Sequence, residues 1–214
     1  MSKTSKEVAY VSHNSYEVLN ELTPKTKNVW IVLHGLGYLS RYFINYFDEL
    51  SPGENYIIAP QAPSKYYLKD NFKHVGASWL TKENTVGETR NVLAYLDTVL
   101  ENEKIPNHCN VMVFGFSQGV SIATRWVAKS KLKCFKLILY AGGIPNELTA
   151  EDFDFLWKNQ TEVITIVGDS DVYLTPERLS KESGKIDAVF RGNAKSISFE
   201  GGHEIKKEII NNLF

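Results

Sequence analysis

The 214 residues, 43% of them hydrophobic, suffice for one domain with a large core and are too few for two comfortable ones, so residues 1–214 read as a single domain. Lys and Arg number 24 against 25 Asp and Glu with no basic block, which argues against a nucleic-acid or membrane-surface partner. The opening MSKTSKEVAY lacks the apolar stretch of a signal peptide, and no later window approaches the ~18 apolar residues of a membrane span, so a soluble, cytoplasmic protein is expected.

In chain order, Val8 to Ser12 and Tyr16 to Leu19 flank a turn at His13-Asn14-Ser15 and predict an N-terminal hairpin. Val29 to Leu33 is a continuous β-branched run, as expected of a strand buried on both faces of a parallel sheet. The loop His34-Gly35-Leu36-Gly37 follows, then helical spacing from Leu39 to Leu50, closed by Ser51-Pro52-Gly53. Tyr56 to Ala59 is a further buried strand. Gln61 to Glu83 has no clear period, and its aromatic content marks an ordered, functional loop.

Glu83 to Glu103 carries a helical stripe of Val92, Leu93, Leu96, Val99 and Leu100. Strands are predicted at Val111 to Phe116, Phe135 to Tyr140, Glu162 to Val167 and Lys195 to Phe199. Between and after them come helices from Leu148 to Lys158 with Thr149 as cap, from Pro176 to Ser183 with Thr175 before it, and from Glu204 to Phe214. Strands alternating with helices imply a mainly parallel sheet with helices on both faces, whose ligands bind beyond the carboxyl ends of the strands. Cys109 and Cys134 are widely spaced and read as reduced packing thiols, and the five histidines show no metal-ligand spacing.

One stretch carries chemistry. In GFSQG, Ser117 lies between Gly115 and Gly119 where the run ending at Phe116 meets a helical pattern bearing Val120, Ala123, Trp126 and Val127. A serine in so sharp a strand-to-helix turn needs glycines at its flanks, because strand and helix nearly touch across it. The bend exposes the hydroxyl and aims the Gln118 amide at negative charge forming beside it. A serine hydroxyl attacks only when a base removes its proton and a carboxylate orients that base. His203 follows the last strand behind two glycines and is the best base; His108 sits at the wrong end of its strand, and His74 is a weak alternative. Asp169 and Asp171 both follow the strand ending at Val167, and spacing alone leaves them open as the acid. Two donors must face the oxyanion: the Gln118 amide and, from the glycine-rich loop after an early strand, the amide of Leu36, with His34 as a loop anchor.

These pieces resemble the phospholipase/carboxylesterase family of α/β-hydrolases, which includes acyl-protein thioesterases and small bacterial carboxylesterases. The matching motifs are VLHGLG at Val32 to Gly37, APQAP at Ala59 to Pro63, GASWL at Gly76 to Leu80, GFSQG at Gly115 to Gly119, GDSD at Gly168 to Asp171 and GGHE at Gly201 to Glu204. The resemblance implies an α/β-hydrolase fold without a large cap domain. It gives Ser117, Asp171 and His203 the nucleophile, acid and base positions, gives Leu36 and Gln118 the oxyanion positions, and places Trp79 on the acyl side of the pocket. The chain departs from the family at Trp79-Leu80-Thr81, where Trp-Phe-Asp is usual, and at Asp171 to Thr175, where Asp-x-x-Val-Pro is usual. Tyr38 to Tyr42 also lacks the acidic residue common after the oxyanion loop.

The expected activity is cleavage of small-molecule carboxylic esters or thioesters of small to medium acyl chains through an acyl-enzyme, with no cofactor or metal. Tyr38, Tyr66, Trp79, Ile144 and Tyr173, on the catalytic-face loops, are the expected lining of an apolar acyl pocket. A peptidase on the same fold would use the same residues. A non-enzymatic binding protein on a hydrolase scaffold would usually have lost one of the three, and none is lost. Nothing in the pattern indicates a homo-oligomer.

Overall fold

The computed structural model describes residues 3–213. Strand β1 spans Tyr16–Leu19, β2 Asn28–Leu33 and β3 Asn55–Pro60, with every residue of β2 and β3 buried. Burial of both faces is why Val29 to Leu33 is an unbroken apolar run rather than an alternating one. Between β2 and β3 the single expected helix is two short pieces, α1 at Ser40–Phe43 and a 3-10 turn at Ile44–Phe47. Phe43, Ile44 and Phe47 are all buried, and the tighter winding turns them onto the sheet.

The Gln61 to Glu83 segment contains a small antiparallel hairpin, β4 at Ser64–Tyr67 and β5 at Val75–Ser78, pairing Ser64 with Ser78 and Tyr67 with Val75. Helix α2 follows at Thr85–Glu103, then β6 at Asn110–Phe116, α3 at Gln118–Ser130 and β7 at Lys136–Tyr140. A 3-10 turn at Ala150–Asp152 precedes α4 at Asp154–Lys158, and Thr149 and Asp152 cap that turn reciprocally. Strand β8 is Glu162–Gly168, and α5 is Pro176–Phe190, longer than its predicted start suggested. Thr175 caps α5 by accepting the Arg178 amide. Strand β9 is Ala194–Phe199 and α6 is Lys207–Asn211.

Two expectations at the ends of the chain need correction. Val8 to Ser12 forms no hairpin with β1; β1 pairs antiparallel with β3 instead, and Val8 and Val11 stand exposed. The terminal helix starts at Lys207 rather than Glu204, because Lys206 is still extended and its amide bonds the Tyr140 hydroxyl at 3.2 Å. Phe214, its expected last residue, lies outside the described residues.

The main sheet runs β1-β3-β2-β6-β7-β8-β9, with all pairings parallel except β1 on β3. Side chains of β2 alternate between two cores, Val29, Ile31 and Leu33 against one and Trp30 and Val32 against the other. The first core takes the apolar stripes of α2 and α3; the second takes Phe43 and Phe47 on one side and Ile210 of α6 on the other. Helices therefore cover both faces. Trp126 of α3 is wholly buried, and its indole donates to Asp97 at 2.7 Å, tying α3 to α2. Truncating such a tryptophan costs about 3–5 kcal/mol. Register aligns Leu33 with Gly115, Phe116 with Tyr140 and Gly168 with Phe199, so the loops after these strands open on one rim.

Candidate active site

Three close approaches fix the turn at Ser117. A Cβ on Gly119 would lie 2.0 Å from the Leu33 carbonyl oxygen, one on Gly115 2.6 Å from that of Gly119, and one on Gly142 2.3 Å from that of Ser117 itself. Only glycine fits at any of them. Ser117 is held at φ 53, ψ −115, a conformation that non-glycine residues avoid. Its amide donates to the Tyr140 carbonyl at 2.8 Å, which fastens the turn to β7 and leaves the side chain on the rim.

His203 arrives on the loop after β9. Gly168, at the end of β8, has the carbonyls of Gly201 and Gly202 within 2.3 Å of where a Cβ would stand, so the two loops pack backbone to backbone. The imidazole Nε2 lies 2.9 Å from Ser117 Oγ, and Nδ1 lies 2.7 Å from Asp171 Oδ2. Nδ1–H donates to the carboxylate, which leaves Nε2 as acceptor of the serine proton. The other Asp171 oxygen accepts the Tyr173 amide at 2.9 Å, and its side chain is almost wholly buried. Asp169 is turned away: its Oδ1 accepts the Gly201 amide at 3.1 Å and the Ser170 hydroxyl at 2.9 Å, and these donors hold its carboxyl below the usual aspartate range. The neighbouring aspartates thus divide the work, one on the imidazole and one inside the turn.

On the other side of Ser117, Gly35 approaches so closely that a Cβ there would sit 3.2 Å from that of Ser117. Among the described residues neither the Leu36 amide nor the Gln118 amide has an acceptor within the protein. The neighbouring groups are bonded: Gly37 N–H donates to the Ala77 carbonyl at 2.8 Å, and Gly76 packs so tightly on Gly37 that a Cβ would fall 2.5 Å from its oxygen. His34 is fully buried, with Nδ1 donating to the Gly35 carbonyl at 2.8 Å and Nε2 accepting the Ala62 amide at 3.1 Å. Burial pushes its pKa down to about 4, so the ring is neutral at physiological pH.

The residues expected to line an acyl pocket fall into two groups. Tyr173 is exposed and stands edge-on to the His203 ring at 4.8 Å, and Tyr38 is half-buried, edge-on to Phe116 at 5.8 Å. Tyr66, partly exposed on β4, approaches Gly37 from the hairpin. Trp79 and Ile144, by contrast, are core residues. Trp79 is packed in the core with no exposed surface, and its indole N–H donates to the His34 carbonyl at 2.8 Å. The role of the Gln118 side chain, which bonds Trp79 N–H at 2.8 Å, was invisible in the sequence, where only its amide had a task. A hollow of about 520 Å³ between Leu100, Cys109, Leu132 and Phe135 lies at the amino ends of β6 and β7, opposite this rim, and includes none of these residues.

The sequence profile of the phospholipase/carboxylesterase family matches residues 14–213. The chain belongs to that family of hydrolases. No curated protein sequence matches it significantly. Among solved structures, acyl-protein thioesterase 2 of Zea mays superposes with TM-score 0.70 at 16% identity, over 94% of this chain and 96% of that one. A phospholipase/carboxylesterase from Dyadobacter fermentans gives TM-score 0.66 at 22% identity, over 96% and 98%. A Mesorhizobium loti carboxylesterase gives 0.67 at 14% identity, over 92% and 91%. At these identities the likeness is one of fold: an α/β-hydrolase in which the longest excursion holds a two-stranded hairpin and no cap domain. No helix among the described residues is long and apolar enough to cross a membrane.

Proposed function

We propose that this family member is a serine esterase that cleaves small-molecule carboxylic esters or thioesters of small to medium acyl chains through an acyl-enzyme. The observation that carries this reading is the unbroken hydrogen-bonded series from Ser117 Oγ through His203 to Asp171, at 2.9 and 2.7 Å, beneath a strained serine backbone. His203 Nε2 takes the hydroxyl proton as Ser117 Oγ attacks the carbonyl carbon, and Asp171 stabilises the imidazolium. The substrate oxygen becomes an oxyanion facing the amides of Leu36 and Gln118. Each such donor is worth about 3 kcal/mol of barrier. Collapse expels the alcohol or thiol with the proton from His203, and water, deprotonated by the same ring, then releases the acid and restores Ser117.

Tyr173 and Tyr38 border the rim and supply apolar contact, whereas Trp79 and Ile144 act from behind it. Two free thiols, Cys109 and Cys134, agree with a reducing, cytoplasmic compartment. The test is turnover of p-nitrophenyl acetate and butyrate by the purified protein and by Ser117→Ala, with labelling by a fluorophosphonate probe. Turnover and labelling confined to the protein with Ser117 support the reading. Equal rates in both proteins remove it.

A further inference from the structure

The two amides proposed for the oxyanion lie on different elements, Leu36 after β2 and Gln118 at the start of α3, and their mutual distance decides how well one oxygen satisfies both. A series of hydrogen bonds, partly buried at Gln118 and fully buried at Trp79, joins the two elements. Gln118 Oε1 accepts the Trp79 backbone amide at 2.8 Å, while its Nε2 donates to the Leu80 carbonyl at 2.7 Å and to Ser78 Oγ at 3.1 Å. With an N–H on one side and a carbonyl on the other, only one orientation of this side-chain amide is possible. Trp79 then donates its indole N–H to the His34 carbonyl at 2.8 Å, and the His34 ring in turn grips Gly35 and Ala62.

We infer that the side chains of Gln118 and Trp79 form a strap that sets the spacing of the two oxyanion donors, making both of them positioning residues for the transition state rather than contacts for the acyl chain. Trp79 and His34 are fully buried and Ser78 nearly so, so water is kept from the indole bond, while the Gln118 bonds are partly buried. The strap meets the Leu36 amide from both sides: at His34 and Gly35 through the indole and the imidazole, and at Gly37 through the Ala77 carbonyl of the same β5 segment. A donor misplaced by a fraction of an ångström weakens an interaction that matters only when charge develops, so loosening the strap lowers kcat and leaves KM largely alone.

This inference rests on the esterase reading, and the experiment separates the two. Trp79→Phe keeps an aromatic ring, smaller than the indole, and deletes the indole donor; Gln118→Met keeps the length and deletes the amide. Each is measured on p-nitrophenyl butyrate, with active sites counted by fluorophosphonate titration so that unfolded protein does not enter kcat. The strap predicts a kcat lowered about tenfold to a hundredfold with KM within about threefold, and a matching loss of affinity for a trifluoromethyl ketone, whose adduct places an oxyanion between the donors. Because the bonds act in series, the double variant falls little below the worse single one. A kcat within twofold of wild type in both variants, a loss confined to KM, or losses that multiply in the double variant overturns the strap. Undiminished turnover by Ser117→Ala overturns the esterase reading instead.

Discussion

The two walls that flank Ser117 are built on opposite principles. On the oxyanion side His34, Trp79 and Gly76 are buried, with the Gly37 amide committed to the Ala77 carbonyl and the Gly35 carbonyl to the His34 ring. On the acid–base side only Asp171 is sealed; Val172 is 81% exposed and Tyr173 60% exposed, and the His203 ring retains access to solvent. The difference follows from what each wall does in the proposed reaction. Donors that meet a transient charge cost no reorganisation only if they are already fixed in a dry setting. A base that serves first a serine and then a water, beside a departing alcohol, needs an open approach.

The largest effects test the acid–base side. Ser117→Ala and His203→Ala each lower kcat by about 10⁴ or more, and Asp171→Asn by about 10⁴ through loss of the productive imidazole tautomer. Asp169→Asn, one turn residue away, changes kcat no more than a few-fold, because its oxygen serves the Gly201 amide and not the ring. The p-nitrophenyl butyrate assay on the two asparagine variants decides the assignment; comparable losses would erase the distinction between the aspartates. On the oxyanion side, Gly76→Ala forces a Cβ within 2.5 Å of the Gly37 oxygen. Overpacking of that kind costs about 1–3 kcal/mol of stability, and here it also displaces the oxyanion loop, so kcat falls with thermal stability.

The same contrast governs what the sequence discloses. Strands β2, β3 and β7 are buried throughout, so their residue choice is dictated by the core and their runs are plain to read. Every residue of β4 is exposed, which leaves Ser64 to Tyr67 no apolar pattern, and the hairpin was unreadable. Val8 to Ser12 failed in the other direction, its β-forming residues having no partner strand. At the site, Ser117 and His203 announce themselves by glycines and by position after strands. Asp171 and Asp169 share a loop and differ only in where the backbone turns them, which spacing does not encode. Trp79 is ambiguous for a similar reason: an aromatic residue on a catalytic-face loop suits a pocket and a strut equally in sequence, and its full burial is not encoded there.

A smaller effect on the dry wall is a pH dependence of stability. The folded-state pKa of His34 is about 4 against 6.5 for the free side chain, so between these values the unfolded chain binds more protons than the folded one. Stability is therefore full above pH 6.5 and declines as pH falls toward 4, by roughly 3 kcal/mol at most from this group. Urea unfolding across that range, compared with His34→Gln, isolates the contribution: the variant loses stability less steeply on acidification. Equal slopes would mean that the ring is protonated without cost in its buried setting.

The smallest effect belongs to the open wall. Tyr173 touches the imidazole edge-on and contributes its backbone amide, not its side chain, to Asp171. Tyr173→Ala thus leaves the carboxylate bonded and shifts stability by no more than about 0.5 kcal/mol, as expected for an exposed residue. Its ring nevertheless borders the path by which an ester reaches Ser117, so KM for p-nitrophenyl butyrate rises several-fold while that for the acetate moves less. A drop in kcat with KM unchanged for both esters would instead make the ring a support for His203, and the acid–base wall would then be as preorganised as the wall facing it.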